Sequence, residues 1–409
     1  MKILVLDSIH GGAGIGRAYA DAGHTADVVD VYRGTTPGLA AVLKDRTYDL
    51  VAAPVHLDPD NPFLKSRHEP VITHHEAVRR LLGRDRPSPM VEITGARGKT
   101  TTAHALAHIL GGSGVLHTST GTYSYPAREL LWKRSITPAS LLPAADHAGR
   151  MPGWLVAEES LGVTGAGDLV IITSAEDYTF ANNRKHAISA KLASAAGARC
   201  VLVADGISCD AKNTLCIGDL ARCEGDECTV RYEGTTSVVR NPLFRLPPYR
   251  TALMLAAAAA RILHRDPAPL ATFPALPGRL SLSHEKDLVV VDNSNSGTNY
   301  ETTLCAVRYA RSLAGVPGLT LVIGQAAKDG AVCEGFPFAQ IEKTISMAAP
   351  DRVILVGNRP ESGTVSGTVS AGSPPARIGR FCSTFEEGKA AALEMTDQGS
   401  IVLAVKSWR

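Results

Sequence analysis

Short apolar runs alternate with amphipathic or alanine-rich segments along most of the chain. In the first 88 residues, four such runs predict β-strands, and the segment between the first two has a helical pattern. The predicted strands are residues 3–6, 26–30, 49–53 and 71–73, and the predicted helix is residues 17–22. Because strands that alternate with helices form parallel sheets, this part is expected to be a small Rossmann-like unit.

The same alternation returns twice more. Apolar runs predict further strands at residues 90–93, 115–118, 154–157, 169–172, 288–292, 319–323, 352–356 and 401–405, and a long alanine-rich helix is expected at residues 251–263. Polar, proline-containing segments at residues 84–89 and 266–279 separate the three series. The expected fold class is therefore α/β with three domains: an N-terminal Rossmann-like substrate-binding domain (1–88), a central domain (89–275) and a C-terminal Rossmann-like domain (276–409).

The segment 93–102 reads Ile-Thr-Gly-Ala-Arg-Gly-Lys-Thr-Thr-Thr and stands between a predicted strand and a helix. Glycines let backbone N–H groups turn toward an anion, the lysine supplies a cation, and a threonine hydroxyl suits Mg²⁺. This order predicts that the central domain is a P-loop ATPase domain with ATP and Mg²⁺ as cofactors. The candidate nucleotide-binding residues are Gly95, Ala96, Arg97, Gly98, Lys99, Thr100 and Thr101, with Thr100 also a candidate metal ligand. A plain strand-to-helix turn is the alternative.

Polar side chains follow several predicted strands, where an open α/β sheet has its ligand crevice. Glu158 ends the run beside the P-loop strand and is a candidate Mg²⁺ ligand. His10 follows the first strand and His75 follows the fourth. These histidines either face a ligand or are solvated and cap helices, and both alternatives stay open. A glycine turn at residues 11–16 lacks the last glycine of the dinucleotide pattern, because Arg17 stands there, which disfavours an NAD oxidoreductase.

Composition limits the classes of partner. The net charge of +2 is made of 42 basic and 40 acidic residues mixed along the chain, so neither nucleic acid nor a membrane surface is an expected partner. The longest apolar run, residues 252–260, is too short to span a bilayer, and the chain does not open on a signal-peptide pattern. We therefore expect a cytoplasmic protein that binds a small molecule, as a monomer or weak homo-oligomer. Four cysteines between residues 209 and 228 lack the spacing of zinc pairs and are expected to be reduced thiols.

Taken together, these features resemble the Mur ligase superfamily. The resemblance rests on the Thr-Gly-x-x-Gly-Lys-Thr-Thr loop, the strand-end Glu158, Lys191 on a helix, the Leu-Pro-Gly-Arg sequence that ends at Arg279, and a third α/β domain. It covers the whole chain and implies an ATP-dependent ligase that activates a carboxylate as an acyl phosphate. It also implies that Lys99 holds the ATP phosphates and that Thr100 and Glu158 bind Mg²⁺.

The resemblance implies further roles outside the loop. Lys191 is similar to the lysine that many members carbamylate, so that it becomes a ligand of a second Mg²⁺ and a catalytic residue. Arg279 is similar to the linker arginine that reaches the γ-phosphate, and Asp292 to the third-domain residue near the ribose. One departure is Tyr178, which stands where the peptidoglycan ligases carry histidine. A second is the missing His-Asn motif before the long helix, which leaves Tyr249 as a candidate to stack on adenine.

Within the superfamily, residues 7–12, 29–32 and 74–78 resemble the coenzyme F-430 synthetases of methanogenic archaea. This implies that the substrate is a nickel hydrocorphin carboxylate, whose activated propionate is attacked by the macrocycle's own carbon to close a carbocyclic ring. ADP and phosphate are released. His10 and His75 are candidate catalytic bases for that carbon or, alternatively, axial ligands of the nickel, since imidazole suits Ni²⁺. The alternatives are a Mur-type amide ligase that joins an amino acid to a carboxylate, and a nucleotide-gated binding protein, which would not need Lys191.

Overall fold

The computed structural model describes residues 1–32, 43, 46–83, 86–285, 287–313, 318–326, 335–357 and 377–407. It divides into two compact units, Met1–Phe273 and Pro274–Arg409. Both have the mixed strand and helix content that the sequence predicts. The predicted linker residues 84–85 and the Ser- and Gly-rich loop at residues 362–375 lie outside the described residues.

The first unit contains the following elements. Its strands are β1 (Lys2–Leu6), β2 (Thr25–Val29), β3 (Leu50–Ala53), β4 (Val71–Thr73), β5 (Met90–Thr94), β6 (Gly114–Thr118), β7 (Gly121–Tyr125), β8 (Glu129–Trp132), β9 (Trp154–Glu158), β10 (Leu169–Ile172), β11 (Thr179–Phe180), β12 (Lys185–His186), β13 (Val201–Val203), β14 (Thr214–Cys216), β15 (Ala221–Glu224), β16 (Glu227–Tyr232) and β17 (Thr235–Arg240). Its α-helices are Ala13–Asp21, Pro62–Lys65, His74–Leu82, Lys99–Leu110, Pro138–Gly149, Ala187–Ala195, Ile217–Leu220 and Pro247–Ile262.

The N-terminal sheet has the order β2-β1-β3-β4, and its strands are parallel. The glycine segment differs from the prediction of a turn at residues 11–16. The turn is earlier, at Ser8–Gly12, and the helix Ala13–Asp21 contains the later glycines. A Cβ on Gly16 would lie 2.3 Å from Val28 Cγ2, so this glycine allows the helix to pack closely on β2.

The central sheet has the order β14-β13-β10-β5-β9-β6-β7-β8. Its strands are parallel except at the edge, where β6, β7 and β8 pair as an antiparallel meander. The alanine-rich helix Pro247–Ile262 packs against Lys99–Leu110, because alanine side chains let two helices approach closely. Both helices are largely buried, which explains their apolar composition.

The small antiparallel sheet β15-β16-β17 was not predicted from the sequence. Its strands are mostly exposed on one side, so they lack the apolar runs from which other strands were predicted. The expectation of reduced thiols is wrong for one pair here, since Cys223 and Cys228 form a disulfide across β15 and β16. Cys209 and Cys216 are free cysteines.

One apolar cluster joins the N-terminal and central sheets. It includes Ile3 and Ile15 from the N-terminal part and Leu141 and Leu155 from the central part. The helices His74–Leu82 and Pro138–Gly149 contact each other within it. The first compact unit therefore contains both sheets, and the predicted domain boundary at residue 88 stays a prediction.

The second unit has a sheet of order β18-β19-β23-β20-β21-β22. Its strands are β18 (Ser281–Glu285), β19 (Leu288–Asp292), β20 (Leu319–Gln325), β21 (Arg352–Val356), β22 (Arg377–Cys382) and β23 (Ser400–Lys406), and its helices are Tyr300–Ser312, Phe338–Ala348 and Phe385–Met395. The strands are parallel except for the edge strand β18. Strands β20 and β23 are almost fully buried, as their unbroken apolar runs predict.

The side chain of Asp168 forms hydrogen bonds that hold the segment before β5 in place. Its carboxylate accepts hydrogen bonds from the guanidinium of Arg86 (2.9 and 3.1 Å), the hydroxyl of Ser88 (3.1 Å) and the N–H of Met90 (3.0 Å). Burial alone would raise the pKa of Asp168, but these bonds hold it below its ordinary value. We expect Asp168→Asn to lower the free energy of unfolding of the first unit by about 2 kcal/mol at neutral pH, in urea denaturation.

The pH dependence gives a second readout of the same variant. Because the folded-state pKa of Asp168 is lowered, its contribution is present above the unfolded-state pKa and is lost as pH falls through the folded-state value. The difference between wild type and variant should therefore shrink below about pH 4. The matched control is Arg199→Ala, whose exposed guanidinium is 3.5 Å from Asp168 and should contribute less than about 0.5 kcal/mol. Equal effects of the two substitutions would contradict this account.

Candidate active site

The loop between β5 and the helix Lys99–Leu110 has the predicted strand, glycine turn and helix order. Gly95 has φ +147°, and a Cβ there would lie 2.1 Å from Thr173 Oγ1. Gly98 is left-handed, with φ +83°, at the position that begins the helix. No side chain among the described residues caps that helix, so its first N–H groups stay available for an anion.

Residues after β10 hold the loop in shape. The hydroxyl oxygen of Ser174 accepts hydrogen bonds from the N–H groups of Ala96 (2.9 Å) and Arg97 (3.1 Å). Thr173 donates to the carbonyl oxygen of Arg97, and the guanidinium of Arg97 pairs with Glu176. Ser174 was not predicted as a site residue, although its place at the end of a strand beside the loop strand was a signal.

Lys99, Thr100 and Glu158 lie together at the end of β5 and β9. Lys99 Nζ donates to the carbonyl oxygen of Gly95 (3.0 Å) and is 3.8 Å from Glu158 Oε1. Thr100 Oγ1 donates to Glu158 Oε2 (2.9 Å), and the N–H of Ser119 donates to the same oxygen (3.1 Å). Cis oxygen ligands of Mg²⁺ are about 3 Å apart, since the bonds are about 2.1 Å. Thr100 and Glu158 therefore have the donor types and the spacing of a Mg²⁺ pair.

Glu159, the residue after Glu158, differs from it in its hydrogen-bond partners. It is fully buried, and neither carboxyl oxygen has a hydrogen-bond partner among the described residues. Burial and then the charge of Glu92 raise the pKa of Glu159 well above its ordinary value, which favours its neutral form. Glu158, by contrast, contacts Lys99 and Thr100 of the P-loop helix, and its role as a Mg²⁺ ligand stays a prediction.

Lys191 is 1% exposed, although it occupies a helix of mostly small residues. Its Nζ has no hydrogen-bond partner in the described part of the chain and lies 4.9 Å from the centre of the Tyr178 ring. Burial, and then the charge of Lys99, lower the pKa of Lys191 to about 8. The positive charge of Lys99 therefore acts on this amine. The Tyr178 ring lies next to the amine, at the position where the resemblance implies a histidine in the peptidoglycan ligases.

The two neighbouring histidines at the start of helix His74–Leu82 are buried. His74 Nε2 is 3.0 Å from the carbonyl oxygen of Leu6, and His75 Nε2 is 3.1 Å from that of Ser160. Burial lowers the pKa of each to about 4, so both are neutral near pH 7. His75 thereby joins the N-terminal part to the segment after Glu158, and its predicted role as a catalytic base stays a prediction.

His10 belongs to a group that the sequence analysis identified only in part. His10 Nδ1 is 2.8 Å from Asp7 Oδ2, and His56 Nε2 is 3.7 Å from the same oxygen. Tyr32 stacks on His56 with ring centres 5.6 Å apart. His56 was not predicted as a site residue. It follows β3 by three residues and so lies at the same sheet edge as His10.

A cavity of about 350 Å³ opens beside His56 and Tyr32. Its other side is the hairpin β11–β12, where Lys185 Nζ donates to the carbonyl oxygens of Val55 (2.8 Å) and Leu57 (3.1 Å). This hairpin leads directly into the helix that carries Lys191. The N-terminal histidines and the P-loop side of the central sheet are therefore connected through one short segment.

The remaining candidates lie elsewhere. Arg279 and Asp292 belong to the second unit, where Asp292 ends β19 and accepts a hydrogen bond from the N–H of Ser294 (2.9 Å). Their roles toward the nucleotide stay predictions. The suggestion that Tyr249 stacks on adenine is wrong, because Tyr249 is buried in the core at 1% exposure.

Comparison with known proteins identifies the family. Residues 282–407 match the model of the coenzyme F430 synthetase CfbE, C-terminal domain. A coenzyme F(430) synthetase of Methanosarcina acetivorans is 31% identical, and the alignment covers 100% of this chain and 99% of that protein. The chain belongs to the coenzyme F430 synthetase family. It is therefore an ATP-dependent ligase, and the resemblance seen in its motifs is confirmed.

Solved structures similar to this family member show the same fold at low identity. FolC of Escherichia coli, in complex with DHPP and ADP, has a TM-score of 0.57 at 16% identity and covers 92% of this chain and 95% of its own. A MurF structure of Acinetobacter baumannii has a TM-score of 0.56 at 14% identity, with coverages of 83% and 79%. The folylpolyglutamate synthase/dihydrofolate synthase of Yersinia pestis, complexed with AMPPNP and Mn, has a TM-score of 0.56 at 16% identity, with coverages of 82% and 90%. The Mur ligase architecture is thus confirmed for this F430 synthetase family member.

Among its described residues, no helix has both the length and the apolar character needed to cross a bilayer.

Proposed function

We propose that this ligase uses Mg-ATP to phosphorylate a propionate carboxylate of a nickel seco tetrapyrrole, and that a carbon of the same macrocycle then closes a carbocyclic ring to give coenzyme F-430. The observation that carries the ATP half is the cluster of Lys99, Thr100 and Glu158 at an uncapped helix N-terminus. The substrate half rests on family membership, since the matching relative is named for that product.

In the first step, a carboxylate oxygen of the substrate attacks the γ-phosphorus of ATP, and the bond to the β-phosphate oxygen breaks to release ADP. Lys99 and the N–H groups that begin helix Lys99–Leu110 stabilise the negative charge of the transferring phosphoryl group. Thr100 and Glu158 would hold Mg²⁺, which neutralises charge on the phosphate oxygens. Arg279 is the proposed γ-phosphate contact from the second unit, and Asp292 the proposed ribose contact.

In the second step, a carbon–carbon bond forms at the acyl carbon while the carbon–oxygen bond to phosphate breaks. The attacking carbon must lose a proton, and His10, partly exposed at the sheet edge with a buried carboxylate on its Nδ1, is the better placed of the two proposed bases. His75 has less access, because it is 3% exposed. Since the attacking group and the acyl phosphate are parts of one molecule, positioning replaces a bimolecular encounter.

The function is tested by incubating the full chain with Mg-ATP and the purified nickel seco tetrapyrrole, without any amine. We expect one ADP per product and a product lighter than the substrate by one water, measured by coupled ADP release and mass spectrometry. The contrary result is ADP release that requires an added amino acid, with a product heavier than the substrate by the mass of that amino acid minus one water. In that case the enzyme is an amide ligase and the cyclisation proposal fails.

A further inference from the structure

Three side chains at the carboxyl edge of the N-terminal sheet converge on one point. Asp7, His10 and His56 each offer one metal-ligating atom, and these three atoms lie within 4.8 Å of one another. Their chain positions are far apart, since Asp7 follows β1 and His56 follows β3, so the sheet itself brings them together. The ATP-binding residues take no part in this cluster.

The backbone fixes the carboxylate of this cluster. Asp7 is fully buried and has φ +81° and ψ +100°, a conformation that non-glycine residues rarely adopt. Its Oδ1 accepts the N–H groups of Ile9 (2.7 Å) and His10 (3.1 Å). The turn is satisfied by Oδ1 alone, which leaves Oδ2 directed at the two imidazoles.

The two imidazoles have room to adjust. The His10 side chain is 42% exposed and that of His56 is 30% exposed. The rings meet edge to face with centres 4.8 Å apart. For His56, the described residues place no partner within hydrogen-bond distance of Nε2, although that atom is buried. A buried ring nitrogen is satisfied by a hydrogen-bond donor or acceptor according to its tautomer, by a water or by a metal ion.

The donor set and its spacing fit a transition metal. Bonds of about 2.1 Å put cis ligands about 3 Å apart. The observed separations from Asp7 Oδ2 are 2.8 Å to His10 Nδ1 and 3.7 Å to His56 Nε2, so small ring rotations suffice. Two imidazoles with one carboxylate favour divalent nickel, zinc or iron over magnesium or calcium, and leave coordination positions open. The open side is the cavity of about 350 Å³ that His56 and Tyr32 line.

We propose that Asp7, His10 and His56 form a binding site for a divalent transition-metal ion, with nickel as the representative ion. The ion has two alternative sources: the aqueous metal, which all three side chains could ligate, or the nickel of a tetrapyrrole, which would have only an axial position open to one of the two imidazoles. This goes beyond the ligase reaction, because the aqueous ion would bind even if the carboxylate substrate were a different one.

The test uses untagged, chelator-treated full-length chain titrated with NiCl₂ in equilibrium dialysis. We expect one Ni²⁺ per chain at micromolar concentrations, and at least a tenfold weaker affinity in His10→Ala and in His56→Ala. The matched control is His24→Ala, because the Met1 amine lies 3.5 Å from His24 Nδ1 and is the competing nickel-binding pair nearby. A thermal shift by ATP in every variant verifies that the fold and the P-loop are intact.

A second arm separates the two sources. The visible spectrum of the nickel seco tetrapyrrole is recorded with wild type and with both histidine variants, because an axial imidazole changes that spectrum. If wild type shifts the spectrum and either histidine variant does not, the substrate's nickel occupies the site. If wild type binds Ni²⁺ in dialysis but does not shift the spectrum, the aqueous ion occupies it. The proposal is overturned if wild type binds no Ni²⁺, if both histidine variants bind it as wild type does, or if only His24→Ala loses it.

Discussion

Replacing Lys99 with methionine is expected to reduce turnover by about 10²–10³-fold, because a single preorganised cation at a transferring phosphoryl group contributes that much. Methionine keeps the length and the apolar stem of lysine but removes the charge. Lys99 Nζ lies between the carbonyl oxygen of Gly95 and the carboxylate of Glu158, so it is positioned at the loop. The measurements are steady-state ADP release and the affinity for Mg-ATP.

The control for this substitution is Lys212→Met, an exposed lysine of the same unit. It should change neither turnover nor ATP affinity, since it contacts no part of the loop. Thr100→Val is a second comparison, because it removes only the hydroxyl that donates to Glu158. We expect Thr100→Val to raise the Mg²⁺ concentration needed for half-maximal rate. Full activity of Lys99→Met would disprove the assignment of the loop as the nucleotide site.

Local patterns were sufficient to predict the loop, because its elements depend on neighbouring residues. An apolar run makes β5, two glycines supply positive φ, and alanines and threonines continue the helix, all within twenty-one residues from Met90 to Leu110. Most parallel strands of the core were predicted for the same reason, but the fully buried parallel strand β13 was missed. The edge strand β8 and the sheet β15-β16-β17 were missed, because they carry at most short apolar runs and are largely exposed on one side. The inner strand β7 was missed because glycine, threonine and serine interrupt its apolar residues.

The parts of the site that were missed depend on contacts between distant positions. Ser174 contacts the loop from 77 or more positions further along the chain, and the pairing of β10 with β5 alone decides that contact. His56 reaches Asp7 because β3 pairs with β1. Likewise, a lysine in a helix of small residues has the pattern of a surface residue, and only the packing of that helix shows that Lys191 is buried. Such long-range contacts have no periodic signal in the sequence.

Replacing Lys191 with methionine is expected to reduce turnover by about 10²-fold or more while Mg-ATP affinity stays within about threefold of wild type. The structural reason is that Lys191 Nζ is buried without a hydrogen-bond partner among the described residues, next to the charge of Lys99. An amine in that position is costly as an ammonium ion, but it suits a carbamate that a second Mg²⁺ would neutralise. Methionine should leave the free energy of unfolding unchanged or raise it, because it removes an unpaired buried charge.

Carbamylation by CO₂ gives this prediction its sharper test, since only the neutral amine reacts. With the pKa lowered to about 8, about 9% of Lys191 is neutral at pH 7, against about 0.03% for an unperturbed lysine. At fixed dissolved CO₂, activation of wild type should therefore increase about fivefold between pH 7 and pH 8, less than about twofold between pH 8 and pH 9, and level off above about pH 9. Wild type in CO₂-depleted buffer should lose activity and regain it on addition of bicarbonate, whereas Lys191→Met should respond to neither change. If the depleted wild type remains fully active, Lys191 acts as an amine or a packing residue, and a second metal held by its carbamate is ruled out.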